Sequence, residues 1–503
     1  MNTDNNTDTI SPAELDKLDE LHALPHYDPA NPFPQLDTAQ NKLIIDATRP
    51  YYYHKSETKS KGNYYFQEKA HSFISLDEQN VKRMLFDIPG INRERIRKPD
   101  GTTLTNSLAD YCLLYIARYK NLRHVHNLIS GHRAGVNMEK RALYLNELQL
   151  ITPRPGDWPT IKAILKSIFT EPGKIRDAAE SAAVSLAQYN YFIAWSAHAV
   201  RTLYRWQFDP GALLALIGAP AAGKSFLLNK IIAPMLATPF PASCASYLAE
   251  GKFNSEWAPC ALLTADDQGI IVKSATRRQA SENLKSLLAP GPKSITGKGA
   301  DTYQDLAFWR FVICANTTNL DGLILEVNGS TNDKIAALFC NKIDAPGFRN
   351  VTPEEKQALD DAITAELPAF IHYLLHVYEN PTPAARYGAP VYRHPKLDEA
   401  LRAGSAAMGV LDYICRVLVD SCSDMATFKD DVLTNMTAGA IRKKINNTLA
   451  DANLKIKPPH GWNNIKNCLE QLAEEQPHFV SAHLSGKNLL FSINFGALRD
   501  RYE

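Results

Sequence analysis

Gly218-Ala219-Pro220-Ala221-Ala222-Gly223-Lys224-Ser225 is the stretch whose reading decides the fold of this chain. It fits the pattern GxxxxGK(S/T), whose glycines let the backbone wrap an anion so that N–H groups point at phosphates. Ahead of it runs Gly211-Ala212-Leu213-Leu214-Ala215-Leu216-Ile217, a continuous apolar segment that reads as a buried central strand. Behind it Phe226, Leu227, Leu228 and Ile231 have helical spacing, so a helix starting near Lys224 would turn its N-terminal dipole to the anion. Lys224 is expected to reach the β- and γ-phosphates and Ser225 to hold Mg²⁺. The backbone from Gly218 to Phe226 is the expected nucleotide-binding loop, with ATP and Mg²⁺ as cofactors.

Two more apolar strands lead to chemistry. Cys260-Ala261-Leu262-Leu263-Thr264-Ala265 ends in Asp266 and Asp267. In such a pair one acid organises the Mg²⁺ shell and the other polarises the attacking water. Asp266 is expected on the metal side and Asp267 as base. Phe311-Val312-Ile313-Cys314-Ala315 leads to Asn316-Thr317-Thr318-Asn319. An amide at the end of a buried strand is unfavourable without a partner, and the γ-phosphate or the lytic water would be that partner for Asn316. Asn319 reads as a turn residue.

The 503 residues, against roughly 100–200 per domain, predict two to four domains. Lys+Arg 55 against Asp+Glu 54 leaves a net charge of +1, which excludes nucleic-acid coating by bulk positive charge; any such contact must use local patches. No apolar run is long enough to span a membrane, and the start lacks a secretion signal. The eight cysteines show no zinc-ligand spacing and read as reduced thiols packed in a cytoplasmic protein. The 14 histidines form no HExxH-like cluster, so no structural metal is expected.

Residues 1–40 hold eight acids and the single base Lys17, and read as a disordered acidic tail, either for solubility or as an autoinhibitory or partner-binding arm. Residues 41–160 read as an α+β domain, with aromatic strands at Tyr51–Tyr53 and Tyr64–Phe66 and helical spacing over Leu76–Leu85 and Leu108–Leu122. Between Arg93 and Arg141 there are ten Lys or Arg and four acids, either a solvated face or a DNA-contacting patch. Pro153 to Pro159 is a strong breaker. Residues 161–395 form the expected ATPase domain. Residues 396–503 read as helices followed by a hairpin, Phe479–His483 with Asn488–Ile493, which suggests a winged helix that binds duplex DNA or a protein.

The spacing of the three strand-end motifs resembles the superfamily 3 helicases, a branch of the AAA+ ATPases. Residues from about 50 to 395 are similar to the helicase part of phage and large-DNA-virus primase-helicases. The likeness rests on Gly156-Asp157-Trp158-Pro159, the phosphate loop, the Asp pair, Trp309-Arg310, Asn316, Asp333-Lys334-Ile335 and Arg386-Tyr387-Gly388. It implies an α/β P-loop core flanked by the N-terminal α+β and C-terminal winged-helix-like domains. It further implies a pore hairpin between the acids and Asn316, with Lys298 as leading DNA contact and Lys293 as second.

Two departures stand out. Many relatives have Glu where this chain has Asp267, one methylene shorter. The family's trans-acting arginine finger has no clear counterpart, and Lys334 and Arg349 compete for the role. The resemblance implies a ring-forming, ATP-driven DNA helicase or translocase. A hexamer is the expected assembly, single-stranded or forked DNA the partner, and a separate primase or a replication or defence factor a further one. A second reading keeps the ATPase as an assembly switch without unwinding. A third, a small-molecule P-loop kinase, is disfavoured by the long flanking domains and the lack of an evident lid.

Overall fold

The computed structural model describes residues 31–55, 62–98, 100–245, 253–265, 282–297, 302–317, 331–345, 348, 352–380, 385–403, 410–411, 413–415, 417, 433–451, 458, 462–475, 477–486 and 488–494. Most of the expected acidic tail, the Asp266–Asp267 pair, Lys298, Asn319 and Arg349 lie outside them. The chain divides into two compact units, Met1–Leu148 and Gln149–Glu503. No helix among the described residues is long and apolar enough to cross a membrane. Among those residues no group of three or more His, Cys, Asp or Glu is arranged to hold a metal.

The described residues of the first unit begin inside the stretch expected as tail. Phe33 and Leu36 are buried, and Asp37 caps helix α1 (Thr38–Thr48), its carboxylate accepting from the Gln40 N–H in a capping box. Strands β1 (Tyr51–His54), β2 (Asn63–Lys69) and β3 (Ser72–Leu76) follow, then helix α2 (Glu78–Phe86) and the hairpin β4 (Arg95–Arg97) with β5 (Thr103–Ser107). Helix α3 (Leu108–Tyr119), capped by Ser107, leads to β6 (Asn121–Leu122), β7 (His124–His126), β8 (Gly135–Asn137) and β9 (Ala142–Tyr144). The main sheet has the order β3-β2-β1-β6. Alternation along its strands sends Tyr51, Tyr53 and Tyr64 into one core with the helices, and Tyr52 and Tyr65 into a second core with Leu122 and Leu143.

The second unit is a mixed α/β fold built on a five-stranded parallel sheet. Helices α4 (Pro159–Ile168) and α5 (Ala178–Tyr204) precede β10 (Leu213–Gly218). Helix α6 starts at Lys224–Leu227, widens into a π turn over Leu228–Ile232 and ends at Ala233–Met235. Then come β11 (Ala242–Ser243), β12 (Leu262–Ala265), the hairpin β13 (Lys293–Ile295) with β14 (Tyr303–Asp305), β15 (Arg310–Asn316) and β16 (Ile335–Cys340). The sheet order is β11-β12-β15-β10-β16, all parallel. Every residue of β10 and β16 is buried, which explains their unbroken apolar sequences, since a sheet covered on both faces has no polar side to alternate with. Strand β16 goes beyond the sequence reading, which assigns its first residue only to a finger segment.

Helix α7 (Pro353–His372) follows the sheet, and its Glu366 carboxylate accepts from the N–H groups of Thr160 and Ile161, satisfying the start of α4. Trp158 packs on Phe370 and Tyr373 beside this cap. The Gly156–Pro159 motif thus has a structural task, joining α4 to α7. Helix α8 (Pro395–Ala403) leads to a separate core, in which Val410, Leu411, Tyr413, Ile414, Cys415 and Val417 pack with α9 (Ala438–Asp451), α10 (Ile465–Glu475), β18 (Val480–Ser485) and β19 (Asn488–Ile493). The expected hairpin β18–β19 is joined by a third strand, β17 (Leu433–Met436), in the order β17-β19-β18.

Candidate nucleotide site

The C-terminal tips of the parallel strands share one edge of the sheet. Gly218 ends β10 and lies in register with Asn316 of β15 on one side and Cys340 of β16 on the other. Ala265, the last residue of β12, is in register with Ile313 of β15. Asp266 and Asp267 follow Ala265 directly in the chain. Because β15 lies between β10 and β12, Asn316 ends the strand that separates the phosphate loop from the acid-bearing strand.

The loop leaves β10 through a glycine that steric contact requires. A Cβ at Gly218 would sit 2.2 Å from the carbonyl oxygen of Cys340. At the far end Gly223 has φ +98, in the left-handed region open mainly to glycine, and a Cβ there would meet Ile343 at 2.4 Å. Ala221 also has positive φ, at 58°, without glycine's freedom. The segment after β16 braces the loop from below. The Ile343 N–H donates to the Ala222 carbonyl at 3.3 Å, and Phe348 meets Phe226 edge to face at 4.8 Å between centroids. Sequence reasoning does not find this brace. Its signal is the apolar run Ile335–Cys340, which has the same character as the run before the loop.

Lys224 is buried at the centre of this arrangement. Its ammonium donates to the carbonyls of Gly218 at 3.0 Å and Ala219 at 2.9 Å, and to Asn316 Oδ1 at 2.9 Å. Among the described residues these three partners are neutral oxygens, so none of them is an opposing charge. Ala221 and Ser225 are exposed at the mouth, while Ala222 is buried beneath it. The Cys340 thiol lies near enough to feel Lys224, but burial is the larger influence and pushes its pKa well up, so it stays a neutral thiol. The residues fit a triphosphate: a cation among neutral oxygens, a loop whose ends exclude side chains, and an exposed hydroxyl at the start of a helix.

Lys334 stands elsewhere. It precedes β16 at the opposite edge of the sheet, where its carbonyl accepts from Leu213 N–H at 2.8 Å. Its ammonium lies 3.4 Å from Asp333 and 5.8 Å from the centre of the Tyr387 ring. Tyr387 and Gly388 brace this edge: the Tyr387 carbonyl accepts from Ala212 N–H, and Gly388 at φ +98 leaves no room for a Cβ against His198. Lys334 therefore cannot serve the loop of its own chain. Lys293 begins β13, and its ammonium donates to the carbonyls of Ser286 and Ala289 at the end of the helix over residues 282–288. Burial lowers its pKa to about 8. Asn254, which sequence reasoning passes over, fixes this hairpin by donating to the Ser294 carbonyl and accepting from the Thr296 N–H, both at 2.8 Å.

A family of unknown function, DUF5906, matches residues 216–326. No curated protein matches the chain. Among solved structures, the A-form apo structure of the NrS-1 C-terminal region is 13% identical at a TM-score of 0.45, covering 90% of this chain and 98% of that one. A structure of the same region, spanning 305–718, is 12% identical at a TM-score of 0.47 with the same coverage. SCCmec type IV Cch, described as an active helicase, is 10% identical at a TM-score of 0.27, covering 85% of this chain and 73% of that one.

Proposed function

We propose that the chain is an ATP hydrolase acting on DNA, a ring-forming helicase or translocase with an AAA+ core of the superfamily 3 kind spanning about residues 161–395. The observation that carries this reading is the contact between Lys224 and Asn316 at 2.9 Å, made across neighbouring strand tips beside a loop that only glycine can enter and leave. A bound Mg²⁺ would polarise the phosphoryl oxygens as a Lewis acid. Ser225 and Asp266 are the residues that would hold it. Lys224 would pair with the phosphates, Asn316 would orient the water, and Asp267 would accept its proton. Lys334, or Arg349, would complete the site from a neighbouring subunit in a homo-oligomer such as a hexamer.

Lys298 is the proposed contact to single-stranded or forked DNA. Lys293 is the weaker candidate, because its ammonium would have to leave the helix carbonyls it now caps. That inward turn favours, as a second reading, an ATPase switch that assembles with replication or defence partners without unwinding. The C-terminal elements, with two helices ahead of a hairpin joined by a third strand, suit a winged helix.

Lys224→Ala should lower ATP turnover by about 100-fold or more, as removal of a transition-state charge partner does, and should lower the thermal melt modestly while the protein stays folded, because three acceptors lose their donor. Undiminished ATPase in that variant would reject the nucleotide site. On a forked duplex, Lys298→Ala should lose unwinding and keep basal ATPase; unwinding equal to the parent's would reject the pore-loop role and favour the switch.

A further inference from the structure

We propose that the outward face of the β4–β5 hairpin in the first unit binds the phosphodiester backbone of a nucleic acid. Burial alternates along β4 and over residues 103–106 of β5, and the pairing shifts register between Arg95, opposite the buried Ser107, and Arg97, opposite Thr103. Ile96 and Leu104 turn inward and pack on the helical core of the unit, while Arg95, Arg97, Thr103 and Thr105 are exposed. Alternate residues of a strand lie about 6.6 Å apart, so Arg95 and Arg97 present two guanidinium groups in a row along one face. Arg97 pairs in register with Thr103, which sets a hydroxyl beside the guanidinium. Just before β4, exposed Arg93 stacks on Phe86 with its Cζ 4.8 Å from the ring centre, which steadies a third guanidinium.

The composition of this face points to phosphate. Arginine presents a planar fork of N–H donors that matches phosphate oxygens, and threonine hydroxyls are common phosphate donors. None of the three arginines forms an ion pair among the described residues, unlike Lys82 nearby, which lies 3.0 Å from Glu78 and 3.2 Å from Asp110. The turn's own carboxylate, Asp100, is occupied by the Thr102 N–H and hydroxyl at 2.8 and 2.6 Å. A row of cations without ion-pair partners gains little for the fold, since exposed charge contributes marginally to stability. Its neutralising partner is a repeating anion. With a net charge of +1, the chain can only bind such a polymer through a local face like this one.

The hairpin belongs to the first unit and the phosphate loop to the second, and the contact is proposed without a need for ATP. The test is fluorescence anisotropy of the full chain with labelled single-stranded DNA, duplex DNA and RNA over a salt series. Replacing Arg93, Arg95 and Arg97 together by Ala should weaken binding at least 10-fold at moderate salt on the preferred polymer. The slope of log affinity against log salt should fall by about 2 to 3, because each phosphate that is no longer neutralised removes about 0.7–0.9 from it. The triple Lys variant should keep most of the slope and lose part of the affinity. A matching thermal melt excludes misfolding. Unchanged affinity and slope in the Ala variant on all three polymers, or a parent that binds none of them, overturns the proposal. Because the variants leave the phosphate loop intact, their basal ATPase should equal the parent's, so a failed nucleotide reading and a failed hairpin reading give different patterns.

Discussion

Ala221 carries backbone strain where the loop needs a sharp turn. An L-residue in the left-handed region is unfavourable by roughly 1–2 kcal/mol, while glycine there loses about 0.4–1 kcal/mol through the greater freedom of the unfolded chain. Ala221→Gly should therefore raise stability, by up to about 1 kcal/mol, read as a higher urea midpoint at unchanged slope. A lower midpoint would mean that the alanine methyl makes a contact worth more than the strain. Gly218 and Gly223 answer to a different constraint, since at each a Cβ would overlap a neighbour from the β16 side of the loop. The motif pattern names both glycines from sequence alone, but the atoms that exclude a side chain come from Cys340 and Ile343, more than a hundred residues away in sequence.

At the scale of elements, the far edge of the sheet holds a buried cation. Arg310 opens β15, and its guanidinium donates to Thr202 Oγ1 at 2.7 Å and lies 4.2 Å above the Phe308 ring. Burial lowers its pKa to about 9, which leaves it charged at neutral pH. Its neighbour His198 on α5 bonds to the Pro210 carbonyl at 2.9 Å, and burial, reinforced by Arg310, holds its pKa down to about 4 from 6.5. The folded state thus keeps His198 neutral where the unfolded chain would protonate it. Since the unfolded state binds the extra proton, stability should fall as pH drops from about 6.5 towards 4. His198→Gln, which can still donate to Pro210, should flatten that part of the pH–stability profile; an unchanged profile would assign the acid sensitivity to other groups. Of the pair Trp309-Arg310, part of the family resemblance in sequence, Arg310 anchors the base of β15 to α5, while the Trp309 indole N–H donates to the Trp257 carbonyl at 3.2 Å.

For the whole molecule, the decisive distance is the length of β10. From Leu213 to Gly218 the strand spans roughly 16–20 Å, and Lys334 and Lys224 lie at its opposite ends. A finger at Lys334 can therefore reach a phosphate only on another copy of the chain. Light scattering should show a mass above the monomer's when an ATP analogue and single-stranded DNA are present. Lys334→Ala and Lys224→Ala, each inactive alone, should recover part of the turnover when mixed, because a mixed interface can join an intact loop to an intact finger. Mixtures as inactive as their components, with the protein monomeric throughout, would exclude the shared site.

The sequence by itself determined the strand–loop–helix around Lys224, the apolar strands leading to Asp266 and Asn316, and the aromatic strands of the first unit. Each is a local pattern: burial on both faces leaves an unbroken apolar run, burial on one face leaves alternation, and a tight phosphate turn leaves glycine. Tertiary structure alone decided that β15 lies between β10 and β12, that β16 closes the other side and braces the loop, that Lys334 stands at the opposite edge from Lys224, and that Lys293 turns onto the carbonyls of a helix end. Strand order and the aim of a long cationic side chain depend on partners distant in sequence, such as Asn316 for Lys224, or on a local turn that pattern does not single out, such as the Ala289 carbonyl for Lys293, and no periodicity records which partner will be met.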